Sequence, residues 1–148
     1  MKKYSKWLIL VVMAVILLSI TPICMAANET YGSIVVSKVV SVYDGDTFKV
    51  NIDGWPDIIG KNISIRIYGI DTPEIRGTKG EAKQLALKAK ALSAKRLLEA
   101  GTVTLRNIKR GKYFRIIAEV YVDRVHLGTL LIRNGLAKEY YGGKRPIW

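Results

Sequence analysis

The chain has 148 residues, with 24 Lys+Arg against 12 Asp+Glu, a net charge of +12, one His and one Cys. A single histidine and a single cysteine exclude a His-based metal centre, a zinc–thiolate site and an internal disulfide framework. The basic excess fits a polyanionic partner, and the length suits one domain that buries a core without covalent staples.

Lys2, Lys3 and Lys6 precede a continuous apolar run, residues 7–20, broken only by Ser19. Thr21-Pro22 ends the run, and Cys24-Met25-Ala26 sets a small residue before a cut at Ala26. This is the anatomy of a secretory signal peptide. The rival is an uncleaved anchor, but the run is short against the ~20 residues that span a bilayer. Cleavage is therefore expected, with no stable membrane anchor left. It removes three lysines, no acid and the cysteine, leaving 122 residues and a net charge of +9. The expectation is a bacterial protein exported to the periplasm or the medium. Residues 27–32 read as a short leader and residues 33–148 as one domain.

Residues 34–42 are β-branched and predict a strand. Residues 47–52 alternate, with Phe48, Val50 and Ile52 on one face. Asp53-Gly54-Trp55-Pro56 marks a turn. Residues 62–70 predict a third strand, with Ile63, Ile65 and Ile67 alternating, stopped by Asp71-Thr72-Pro73. Thr78 and Glu81 have capping-box spacing and open a helix rich in Ala, Leu and Lys. That helix runs to Glu99, with Leu85, Ala89 and Leu92 on its inner face and Gly101 as its stop. Strands follow at 103–108 and 115–122, then a short helix at 127–134 closed by Gly135. His126, between Val125 and Leu127 near a turn, reads as structural. The tail Gly142-Gly143-Lys144-Arg145-Pro146 reads as loop. Five strands with a long helix before the fourth predict an α+β domain built on a small antiparallel barrel. Closure removes the edges of such a sheet, and five-stranded barrels of this kind bind nucleic acids.

The chemistry gathers at two acidic motifs, Asp44-Gly45-Asp46-Thr47 and Arg66 through Glu74. Asp46 and Asp71 each stand at a turn beside a strand, and two carboxylates on neighbouring strands can hold a hard, oxygen-seeking cation. Arg66 lies five residues before Asp71, an odd spacing that a bulge at Gly69 would reset. Glu74, after a Pro-fixed turn, could orient or deprotonate a water. Arg115 would be a second fork for phosphate oxygens. Tyr113, Tyr140 and Tyr141 are core residues or stacking platforms for bases. Taken singly, Asp44-Gly45 is a hairpin turn, Asp71 to Glu74 a turn into a helix, and Arg115 a surface cation. Their joint order and spacing point instead to a metal-dependent phosphodiesterase acting on nucleic acid.

These two motifs, with Lys112-Tyr113-Phe114-Arg115 and Gly135-Leu136-Ala137-Lys138, resemble those of the staphylococcal nuclease (thermonuclease) family over residues 34–141. The resemblance implies a five-stranded OB-type Greek-key barrel with one long and one short packed helix. It implies hydrolysis of DNA and RNA with Ca²⁺ as cofactor, leaving 3′-phosphate ends. Asp46 and Asp71 would be the metal carboxylates, and Thr72 would add its main-chain oxygen. Arg66 and Arg115 would clamp the phosphate, Glu74 would act as base or water-orienting residue, and Lys112, Tyr113 and Tyr141 would line the nucleotide site. The substrate would be single-stranded or locally melted DNA and RNA, and the protein a monomer with no protein partner. Several positions depart from the family pattern. The hairpin between Val50 and Arg66 is longer and carries Trp55 and Pro56; Gly111 replaces an Asp, and Phe114 replaces a Gly. Gly143 stands where a second substrate tyrosine is often found, and the C-terminal helix is expected to be largely absent. Two other classes compete: a catalytically inactive nucleic-acid-binding module of the same fold, and a basic surface protein for anionic envelope polymers. The presence of Asp46, Asp71, Glu74, Arg66 and Arg115 together favours the enzyme.

Overall fold

Alternation is the strongest local signal in the chain, and it sets the barrel wall. Phe48, Val50 and Ile52 are buried, as are Ile63, Ile65 and Ile67. The computed structural model describes residues 30–148, so the expected signal segment and its cut lie outside the described residues. The elements are β1 (Ile34–Val35), β2 (Lys38–Val42), β3 (Thr47–Asn51), α1 (Asp57–Gly60), β4 (Ile63–Ile67), β5 (Ile70–Asp71), α2 (Gly80–Leu98), β6 (Val103–Arg110), β7 (Ile116–Val122), β8 (Val125–His126), α3 (Leu127–Arg133) and β9 (Lys138–Glu139). Among the described residues, no helix is long and apolar enough to cross a membrane.

The main sheet runs β1-β6-β7-β4-β3-β2, with β8 added to β7. Its two ends, β1 and β2, are consecutive in the chain and separated only by Val36 and Ser37. At this joint the Val36 N–H donates to Val103 O at 2.9 Å and the Ser37 N–H to Asn51 O at 3.0 Å. The sheet therefore curls until one bent strand serves both ends. With β1 and β2 taken as that one strand, the wall has the five strands of an OB-type barrel. β4 and β7 pair in parallel, while the other pairings are antiparallel. A parallel pair needs a long crossover, and α2 followed by β6 supplies it.

Several expectations are corrected. The third strand does not run unbroken through residue 70. It stops at Ile67, turns at Tyr68-Gly69 with Gly69 at φ 79°, and resumes as β5, which pairs with β9 outside the barrel. Glycine adopts this conformation without penalty, and an added Cβ would lie 3.2 Å from the Tyr141 ring. The single-turn helix α1, inside the long hairpin, was not foreseen. Thr78 does not cap α2: its hydroxyl donates to the Glu74 carbonyl, and the cap position falls to Lys79, with no side-chain cap. The inner stripe of α2 is Ala86, Ala89, Ser93 and Leu97: Ala89 is buried as expected, while Leu85 and Leu92 only flank the core, partly buried. The reason is proximity, since a Cβ at Gly45 would sit 2.6 Å from Ala89 Cβ, so only small residues let helix and loop meet. The structural reading of His126 holds: its Nδ1 accepts the Thr129 N–H at 3.0 Å and caps α3. The last residues of the expected leader are tied to the barrel, because Tyr31 N–H donates to Ile108 O and Ile108 N–H to Gly32 O.

Candidate active site

Three segments meet at one end of the barrel. The β2–β3 loop is pinned by α2, where the buried Ser93 Oγ donates to Gly45 O at 2.6 Å. This presents Asp46, only 2% exposed. Its Oδ1 accepts the Thr47 hydroxyl at 2.8 Å, and its Oδ2 accepts the Thr72 N–H at 3.1 Å. The β3–β4 register sets Arg66 opposite Thr47, and its guanidinium reaches both acids. Arg66 Nη1 donates to Asp46 Oδ1 at 3.2 Å, and Nη2 lies 3.2 Å from Asp46 Oδ2 and 2.8 Å from Asp71 Oδ1. Asp71 is 1% exposed. The turn at Gly69 resets the strand alternation, so Arg66 and Asp71 face the same side.

Glu74 stands half-exposed on the loop before α2. With Tyr43, Asp44, Thr47, Arg66, Arg76 and Arg115 it lines a cleft of about 200 Å³. Burial, then the charge of Asp46, pushes the Asp44 carboxyl above its ordinary value. Arg115 reaches the cleft from the end of the β6–β7 loop. The two departures around it have structural consequences. Gly111 N–H donates to Arg115 O at 2.7 Å, and a Cβ at 111 would come within 2.8 Å of that oxygen, so the position demands glycine. Phe114 lines a separate apolar cleft of about 370 Å³ with Tyr31 and Trp55, a cleft that Arg115 also borders. Lys112 and Tyr113 stand on the exposed loop, outside the lining of the cleft that holds Glu74; Tyr113 is 91% exposed, at φ 57°. Tyr141 packs edge-on against Tyr68, with ring centroids 5.7 Å apart, and covers Gly69.

Sequence reasoning missed Arg145 and Trp148. Arg145 donates to Asp71 Oδ1 through Nη2 at 2.9 Å and Nε at 3.2 Å, and its Nη1 pairs with Glu74. Hydrogen bonding to Glu74, and then to Asp71, holds its guanidinium above the usual arginine range. Trp148 Nε1 donates to Asp71 Oδ2 at 3.2 Å. Gly142 and Gly143, both at positive φ, turn the tail back toward the site. The glycine pair was visible as a loop signal, but nothing local names the loop's destination.

Among the described residues, no group of three or more His, Cys, Asp or Glu side chains forms a metal cage. A cation here would rest on Asp46 and Asp71, with main-chain oxygen and water completing its shell. That all-oxygen set suits a hard ion. Thr72 Oγ1 is buried without a hydrogen-bond partner, and a buried oxygen of this kind calls for one. An ion or its water would satisfy it, so the residues fit a divalent cation.

The sequence profile described as "Staphylococcal nuclease homologue" matches residues 64–146. A thermonuclease of Staphylococcus hyicus is 32% identical over 151 aligned positions, covering 93% of this chain and 82% of the relative. An uncharacterized endonuclease of Escherichia coli is 32% identical over 104 positions, covering 70% of this chain and 60% of the relative. An uncharacterized protein of Bacillus anthracis is 30% identical over 104 positions, and the match spans 68% of this chain but only 45% of that protein.

Proposed function

The chain belongs to the family of staphylococcal nuclease homologues, and from that premise we propose that it is an exported, Ca²⁺-dependent nuclease. It hydrolyses phosphodiester bonds of single-stranded or locally melted DNA and RNA and leaves 3′-phosphate ends. The observation that carries this reading is one guanidinium, Arg66, spanning two buried carboxylates, Asp46 and Asp71, beside Glu74 and Arg115.

Arg66 and Arg115 offer forked donors to the non-bridging oxygens of the scissile phosphate. Once a cation takes over the charge of Asp46 and Asp71, the Arg66 fork is freed to act with Arg115 in neutralising the charge added as phosphorus becomes five-coordinate. Asp46, Asp71 and the Thr72 main-chain oxygen would hold Ca²⁺, which supplies Lewis-acid polarisation of a phosphoryl oxygen. Glu74 orients the attacking water and takes its proton as the new P–O bond forms. The P–O5′ bond breaks, the 5′ oxygen takes a proton from solvent water, and the phosphate stays on the 3′ side. Tyr113 and Tyr141, both exposed, offer rings to bases, and Lys112 adds positive charge next to Tyr113 in the chain.

A gel assay with single-stranded DNA tests the reading. Cleavage is expected with Ca²⁺ and not with chelator, and the products should carry phosphatase-sensitive 3′ ends. Intact DNA at every Ca²⁺ concentration would refute it. Export rests on residues 1–26, and an intact mass of secreted protein beginning at Ala27 checks it.

A further inference from the structure

Asp71 carries four donor contacts, three of them on one oxygen. Its Oδ1 accepts from Arg66 Nη2 at 2.8 Å and from Arg145 Nη2 and Nε at 2.9 and 3.2 Å; its Oδ2 accepts from Trp148 Nε1 at 3.2 Å. A carboxylate offers about four acceptor sites, two on each oxygen, and Oδ1 already carries three donors, so a cation that ligates Asp71 through Oδ1 has to displace one. Arg66 is also held by Asp46, and its side chain is 18% exposed. Arg145 is 46% exposed, so water can resolvate it at low cost. Of the two guanidiniums on Oδ1, Arg145 is the one that yields. Its third nitrogen, Nη1, neutralises Glu74, so its departure releases a metal ligand and the base together.

We infer that the tail guanidinium of Arg145 is a resident counter-ion of the metal-free site, exchanged for the divalent cation, and that the exchange couples metal binding to release of Glu74. This rests on the metal-dependent reading of the same site. Without metal, Arg66 alone pairs with the two buried carboxylates, Asp46 and Asp71; Arg145 adds a second positive charge on Asp71 and ties it to Glu74. The tail stays within reach through a second anchor. Lys138 Nζ donates to Ile147 O at 2.7 Å and lies 4.5 Å from the Trp148 ring centroid. Tyr140 Oη donates to Gly143 O at 3.0 Å. The consequence is a nuclease whose base is occupied wherever Ca²⁺ is scarce.

The test is Ca²⁺ titration by calorimetry, without substrate, of the wild type, Arg145→Gln and Arg145→Lys, with circular dichroism to confirm folding. Both variants should bind Ca²⁺ roughly fivefold more tightly, the equilibrium equivalent of one partly exposed ion pair removed from the competing state. Lysine should tighten binding too, because an ammonium cannot span two carboxylates as the fork does. In a chain with Trp7→Phe and Trp55→Phe, Trp148 emission should change with the same midpoint as the heat. Tightening in Arg145→Gln alone would reduce the effect to local charge and overturn the exchange. So would unchanged or weaker affinity in both variants with silent Trp148 emission, even if the wild type binds Ca²⁺ and cleaves DNA. A wild type with no Ca²⁺ heat would overturn the metal reading itself and the exchange with it.

Discussion

Arg66→Ala removes the one side chain that bridges two carboxylates buried to 2% and 1% exposure. Breaking a buried ion pair from one side costs ~3–5 kcal/mol, because the partner stays buried and uncompensated. Here the lower end applies. Asp46 keeps the Thr47 hydroxyl and the Thr72 N–H, and Asp71 keeps Arg145 and Trp148. A loss of about 3 kcal/mol is a large share of the roughly 5–15 kcal/mol typical of a folded domain. At a urea slope of about 2 kcal/mol per molar, it lowers the unfolding midpoint by about 1.5 M. The decisive comparison is urea unfolding with chelator and with saturating Ca²⁺. A bound divalent cation supplies the missing positive charge, so the loss should shrink to about 1 kcal/mol with Ca²⁺. An equal loss in both conditions, or a loss under about 1 kcal/mol with chelator, would refute the reasoning. Turnover should fall by roughly 10²-fold whatever the stability, and Arg66→Lys should restore little of it.

Gly45→Ala forces a Cβ to 2.6 Å from Ala89 Cβ and 3.0 Å from Thr72 Cγ2, at a cost of roughly 1–3 kcal/mol. A double-mutant cycle with Ala89→Gly should show coupling of about 1 kcal/mol, and simple additivity would deny the contact. Ser93→Ala strips the bond that holds Gly45 O; roughly 1–3 kcal/mol of stability should go, with slower turnover as Asp46 loosens, and a fully active, equally stable variant would count against this role. Glu74→Gln should lower turnover by roughly 10²- to 10⁴-fold while binding of a non-hydrolysable oligonucleotide persists; parallel loss of binding would make Glu74 a substrate contact instead. Affinity of an inactive variant for single-stranded DNA should drop steeply from low to moderate salt, as counterion release requires, and a flat response would shift the weight to stacking on Tyr113 and Tyr141.

Much of this protein was legible along the chain because its signals are local. The period-2 burial of Phe48, Val50 and Ile52, and of Ile63, Ile65 and Ile67, needs only neighbouring residues to be read. The two acidic motifs and Arg115 carry their chemistry in residue type and order, and Gly69 announced the reset that brings Arg66 and Asp71 to one side. The rest depended on distance across the fold. Thr78 had the spacing of a cap, yet its hydroxyl closes the loop at Glu74. Leu85 and Leu92 had the apolarity of a core face, yet the residues that meet the Gly45 loop are Ala89 and Ser93, small enough to approach it. Arg145 had no signal beyond being a basic residue in a glycine-led tail. Its place is decided by β5 and the loop before α2, which set Asp71 and Glu74 within reach of one guanidinium. That guanidinium, more than 70 residues along the chain, bonds both carboxylates, a pairing that only the folded chain can bring about.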